Sequence, residues 1–111
     1  MKQLFWLFVI AGILPALLCA GPVYGTILFN SAALGGATIS VACGGVQAGA
    51  GATLDDGSYR IGVRGQGRCI FTLTSRRLPG AVSTEIVSLQ DAALYNFDVV
   101  VVNGRYQLRR R

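Results

Sequence analysis

From Tyr24 onward the apolar residues recur at every second position, in short runs separated by glycine-rich breaks. That period of two predicts strands with one buried and one solvated face, and no stretch shows the longer period of an amphipathic helix. A first strand is expected over Tyr24 to Asn30. A second is expected over Ala37 to Cys43, with Ile39, Val41 and Cys43 on one face. Gly44 to Gly51, all glycine and alanine but for Val46 and Gln47, reads as a flexible loop. Asp55-Asp56-Gly57 is a turn signal in which the glycine supplies a positive φ. Beyond it Tyr59, Ile61 and Val63 alternate with Arg60, Gly62 and Arg64.

After a Gly65-Gln66-Gly67 turn, Cys69, Phe71 and Leu73 form the next apolar row, and Arg76 to Gly80 reads as a loop. Val82 to Leu89 is a further strand, with a short turn over Gln90 to Leu94. The last unit is a hairpin. Tyr95, Phe97, Val99 and Val101 alternate into Asn103-Gly104, and Tyr106 and Leu108 return. Asn-Gly between alternating runs favours a type I′ turn, whose two central residues both need positive φ. About seven strands in so short a chain predict an all-β sandwich.

Register carries one further expectation. A slip of one residue turns a side chain to the opposite face. Cys43 is in phase with Ile39 and Val41, and Cys69 with Phe71 and Leu73, so both thiols point at the core and can pair between strands.

The first twenty-odd residues differ in kind. Met1, Lys2 and Gln3 make a short positive start, and an apolar run follows from Leu4 to Leu18, broken only by Gly12 and Pro15. Small residues then appear at Ala20, Gly21 and Gly25. This is the layout of a cleavable signal peptide over residues 1–25, cut after Ala20 or after Gly25, with a domain over 26–111. The apolar run is shorter than the roughly 20 residues of a membrane-spanning helix. Cys19 follows Leu18, where a lipid-attachment motif has a small residue. Processing therefore leaves a periplasmic or secreted protein with no stable membrane span, and an oxidising compartment favours a Cys43–Cys69 disulfide.

Removing the leader changes the composition. The whole chain is 52% hydrophobic with a mean hydropathy of +0.52, but the leader accounts for the longest apolar run. About 90 residues remain, near the lower end of what folds on a hydrophobic core alone, so a staple has a large effect. Lys2 is the only lysine and there is no histidine, which leaves nine arginines against five acids.

The segments Gly25-Thr26-Ile27-Leu28-Phe29 and Ala33-Leu34-Gly35-Gly36-Ala37-Thr38-Ile39-Ser40-Val41 resemble the opening of carboxypeptidase regulatory-like domains. Ala52-Thr53-Leu54-Asp55-Asp56-Gly57-Ser58-Tyr59-Arg60-Ile61 is similar to the turn that follows in them, with Thr53, Gly57, Tyr59 and Ile61 at the matching places. Ala33 stands where the family has proline, and the spacing after Thr53 departs slightly. The resemblance runs from Gly25 to about Leu73 and implies a transthyretin-like (prealbumin-like) sandwich. It implies no particular activity, because one fold hosts many functions.

Catalysis is poorly served by these residues. Without histidine there is no Ser-His or Cys-His pair, no imidazole ligand and no proton shuttle near neutral pH. Without lysine the mature chain forms neither a Schiff base nor an isopeptide cross-link. Asp55, Asp56, Glu85, Asp91 and Asp98 are scattered, and a turn accounts for the first two without calcium. No cofactor, metal or enzyme activity is expected. What remains is charge. Arg60, Arg64 and Arg68 leave the core phase together, Arg76 and Arg77 sit in the loop that follows, and Arg109, Arg110 and Arg111 close the chain. They read as a basic face for an envelope protein or an anionic envelope component, or as a solvated face that keeps the domain soluble. Nucleic acid is not expected, because Tyr59, Phe71, Phe97 and Tyr106 fall on the core phase and leave no stacking surface. The expected role is a non-catalytic accessory or binding module of the bacterial cell envelope. The alternatives are a structural subunit assembling through edge strands and a regulatory domain acting beside a catalytic partner. The oligomeric state is left open.

Overall fold

The computed structural model describes residues 21–111; residues 1–20, which make up most of the expected signal peptide over 1–25, lie outside them. Two sheets pack face to face in an all-β sandwich, with no helix among the described residues. The strands are β1 (Val23–Phe29), β2 (Ala32–Ala33), β3 (Thr38–Cys43), β4 (Val46–Ala52), β5 (Ser58–Ile61), β6 (Gly67–Thr74), β7 (Val82–Ser88), β8 (Ala93–Leu94), β9 (Phe97–Val102) and β10 (Arg105–Arg110). β4, β3, β6 and β7 form one sheet in that order. In the other, β1 runs through the middle, with β5 and β2 along one side, β8 and β9 along the other, and β10 outside β9.

The inner rows follow the alternation of the sequence. Ile39 and Val41 of β3, Phe71 and Leu73 of β6, Ile27 of β1 and Phe97 of β9 are all buried. Tyr59, Phe71, Phe97 and Tyr95 form a chain of aromatic contacts through the core, with successive centroids 5.5, 5.0 and 5.9 Å apart. Such tilted and stacked pairs add to the stabilisation that burial alone provides. The hairpin turn is as expected, with φ of 52° at Asn103 and 78° at Gly104.

The described residues form ten strands where about seven were expected. The short β2 pairs with the end of β1 through Leu28↔Ala33 and Phe29↔Ala32, and two further segments depart from the sequence reading. Gly44 to Gly51 is no flexible loop: β4 runs through it, pairing with β3 from Thr38↔Ala52 to Cys43↔Val46 around a bulge at Val41/Ala42. Its small residues are a packing requirement. A Cβ on Gly49 would stand 2.5 Å from the Gly62 carbonyl oxygen, and one on Gly51 would stand 3.1 Å from Ile61 Cγ1. Side-chain alternation cannot reveal a strand whose neighbours admit almost no side chains. The Gln90 to Leu94 segment contains β8, which runs parallel to the start of β1 through Val23↔Ala93 and Tyr24↔Leu94.

Gly25 is the point where β8 hands over to β9 along β1. A Cβ there would meet the Tyr95 carbonyl oxygen at 2.0 Å, so only glycine lets the two backbones approach this closely. The same carbonyl accepts a hydrogen bond from the buried Tyr59 hydroxyl at 2.6 Å. Burial raises the Tyr59 pKa well above the usual tyrosine value.

Cys43 and Cys69 sit directly opposite each other on β3 and β6 and form a disulfide, with Cα atoms 4.2 Å apart. It closes a chain separation of 26 residues. In the chain-entropy model a loop of this size stabilises the fold by about 3.5 kcal/mol. Cys43→Ser is therefore expected to lower the melting temperature by roughly 15–25 °C. Calorimetry of the oxidised protein against the variant measures this, and thiol titration of the unfolded variant should find Cys69 free.

Candidate binding surface

The arginines singled out in the sequence do not form one face. Arg60 lies on the outer face of β5, opposite Tyr24, in a row that continues to Leu94. Arg68 lies on the outer face of β6, opposite Val87, in the other sheet. Each layer of a sandwich turns its outer face away from the other, so these two guanidinium groups point to opposite sides. Alternation shows that both leave the core but not which layer each leaves from. Arg64 sits where the sheets meet at β4 and β5. Its N–H donates to the Ala48 carbonyl at 3.0 Å, and its side chain flanks a groove over Gln47 to Ala50.

Three of the arginines are held by the fold. Arg77 places its guanidinium 5.1 Å from the Phe29 ring centroid. Arg110 sits 4.1 Å over the Tyr95 ring and donates to the Leu94 carbonyl at 3.0 Å. Arg111 approaches Asp98 Oδ1 at 2.9 Å and donates to Thr26 Oγ1 at 2.8 Å. The Arg111–Asp98 contact is a charge contact without hydrogen-bond alignment, and it leaves Asp98 Oδ1 without a hydrogen-bond partner. It is also the only salt bridge among the described residues.

Arg60, Arg64, Arg68, Arg76, Arg105 and Arg109 remain, all exposed, with neither a carboxylate nor an aromatic ring holding them. Arg105 was not singled out in the sequence. It follows the Asn103-Gly104 turn and shares the outer row of β10 with Gln107 and Arg109, so counting by twos from Arg109 would have found it. Of the acids, Asp98 stands directly opposite Arg109 across β9 and β10, but its ion pair is with Arg111. Asp56 is occupied within its turn, where the Ser58 hydroxyl and N–H both donate to Oδ1 and hold its carboxyl below the usual aspartate range. No cluster of three or more metal-ligating side chains occurs among the described residues.

The β9–β10 ribbon is thus the most concentrated basic element of the structure. It carries Arg105, Arg109, Arg110 and Arg111 against Asp98 alone. Its hairpin end also exposes Val101 and Val102.

The two kinds of arginine are separable by stability. Arg110→Ala removes a ring contact and a hydrogen bond and is expected to cost about 1–2 kcal/mol. Arg60→Ala is expected to stay within about 0.5 kcal/mol, as for a surface group away from such contacts. Paired urea titrations of the two variants check the difference. No protein-family model and no curated protein matches the chain.

Proposed function

We propose that the chain is a non-catalytic exported module of the bacterial cell envelope that binds a protein or an anionic envelope component through its basic surface. The observation that carries this reading is the pair of exposed arginines, Arg105 and Arg109, that share the outer row of β10 without an ion pair, on a sandwich stapled by a disulfide. A guanidinium offers a planar fork of donors suited to carboxylate and phosphate. A rigid scaffold lets neighbours on one strand, such as Arg105 and Arg109, bind together with little loss of conformational freedom. The disulfide fits an oxidising compartment, and no helix among the described residues is long and apolar enough to cross a membrane. The absence of histidine and of any lysine beyond Lys2 weighs against catalysis.

Within this reading the module belongs with the transthyretin-like, carboxypeptidase regulatory-like sandwiches. The residues carrying that resemblance have structural work here. Leu34, Ala37 and Ile61 are core residues. Thr53 Oγ1 accepts the Ala37 N–H at 2.9 Å, Gly57 has φ 80°, and Tyr59 reaches the Tyr95 carbonyl.

The same reading places the signal-peptidase cut after Ala20. Val23 is fully buried and opens β1, Gly21 N–H donates to the Leu89 carbonyl at 2.9 Å, and the Pro22 carbonyl accepts the Ala93 N–H at 2.9 Å. A cut after Gly25 would remove a core valine and most of the pairing of β1 with β5 and β8. Intact-mass measurement of the exported protein should find Gly21 at its N-terminus; a chain starting at Thr26 would overturn this placement.

In-cell cross-linking of the tagged protein, followed by mass spectrometry, should recover one stoichiometric envelope partner. Capture should fall when exposed arginines are reversed to glutamate. Self-cross-links alone would favour the structural-subunit reading. Catalytic activity appearing only after a partner is added would favour a regulatory domain.

A further inference from the structure

The open edge of β10 is where the basic groups and free backbone hydrogen-bonding capacity coincide. Arg111 N–H donates to the Asn96 carbonyl at 2.8 Å, on the register that pairs Arg105↔Val102 through Arg110↔Phe97. In an antiparallel ladder, alternate residues point their N–H and C=O groups at the partner strand. Arg105, Gln107 and Arg109 therefore face β9, and the backbone groups of Tyr106, Leu108 and Arg110 face away from it. No backbone partner meets those groups among the described residues, and β7 comes close to β10 across the corner of the sandwich without pairing with it. The side chains divide the other way. Arg105, Gln107 and Arg109 stand on the outer face, with Tyr106 and Leu108 turned inward.

Resting on the binding-module reading, we propose that β10 accepts an extended segment of a partner protein as an added strand. That segment would carry acidic side chains on its outer face and apolar ones between them. The three outward N–H groups and three outward C=O groups would supply the backbone ladder, as in other strand-addition complexes. Carboxylates four residues apart on the incoming strand would match Arg105 and Arg109, which are about 13 Å apart at 3.3 Å per residue. Apolar residues between them would continue the inner row of Tyr106 and Leu108.

A second copy of this chain is a poor occupant of the same edge. An antiparallel pairing of two β10 strands that engages two or more outward residues on each has few possible registers. They set Arg105 opposite Arg109, Arg105 opposite Arg111, or Arg109 opposite Arg109. Like charges directly opposite one another destabilise a strand pair and are a common guard on sheet edges. The charge that disfavours self-pairing favours an acidic strand.

The test uses the ¹⁵N-labelled mature protein and a capped Glu-Val-Glu-Val-Glu-Val-Glu peptide at low salt. Amide exchange at Tyr106, Leu108 and Arg110 should slow as peptide is added. Affinity should fall at least tenfold in the Arg105→Gln/Arg109→Gln double variant, which removes both charges without setting a carboxylate opposite Asp98 and whose melting temperature should stay close to wild type. A peptide with lysine in place of glutamate should leave these amides unprotected. The proposal is overturned if millimolar acidic peptide protects none of the three amides, or protects β7 instead. It is equally overturned if the double variant binds as tightly as wild type, or if the protein dimerises through β10 in sedimentation runs.

Photo-cross-linkers placed at Gln107 and at Arg64 in the cell separate this inference from the reading beneath it. Cross-links from Gln107 to a partner segment with acids four residues apart support strand addition. A partner reached only from Arg64 leaves the binding module standing and removes β10 from it. The absence of any partner removes the module reading itself.

Discussion

Tyr95 joins the two sheets at the corner where β7 and β10 come close. Its N–H donates to the Tyr24 carbonyl at 2.8 Å, fixing it along β1, and its carbonyl accepts the Tyr59 hydroxyl. Its own hydroxyl crosses to the other sheet, where it accepts the Val87 N–H at 2.9 Å and reaches the Val87 carbonyl at 3.3 Å. Its ring stacks on Phe97 and lies beneath Arg110. Few side chains satisfy so many buried or edge backbone groups together. A tyrosine does so because a rigid apolar body carries a polar tip that can both donate and accept. The glycine at position 25 follows from this arrangement, since the Tyr95 carbonyl occupies the space a side chain would need.

The opposite corner is closed by removing side chains. Gly49 and Gly51 bring β4 against Ile61 and Gly62, and the Arg64 N–H bonds across to Ala48. The disulfide ties β3 to β6 in the middle of the four-stranded sheet, in line with the core residues Ile39, Val41, Phe71 and Leu73. Each contact fixes the outer faces and so decides where the exposed arginines stand. The positions of the exposed arginines are set by core constraints they do not touch.

Much of the fold was legible because the outer and inner rows of most strands differ sharply in polarity. The phase of Cys43 and Cys69 and the Asn103-Gly104 turn came directly from that contrast and from backbone sterics. β4 escaped because its glycines and alanines carry no contrast, so a strand and a loop look the same there. Tyr95 read as the first residue of an alternating run, with no local sign that its hydroxyl would reach Val87. The basic surface was legible only as exposure. Arg60 and Arg68 share a phase, yet the chain crosses from one sheet to the other between them, and a period of two carries no record of that crossing.

The sheet edges were the least legible part, and the structure treats each differently. β4 is covered by its approach to β5, and β7 has the outward groups of Val87 occupied by the Tyr95 hydroxyl. β10 comes close to β7 without pairing with it, and no backbone partner meets its outward groups among the described residues; what it has is charge. Arg110 and Arg111 lean back onto Tyr95 and Asp98, while Arg105 and Arg109 stand free on the outer row. Arginines that only guarded an edge would be effective anywhere along it. Here the two free ones flank the outward groups of Tyr106 and Leu108, and the two held ones secure the end of the strand. An edge left unpaired and fringed with one sign of charge resists its own kind and remains able to pair with a strand of the opposite charge.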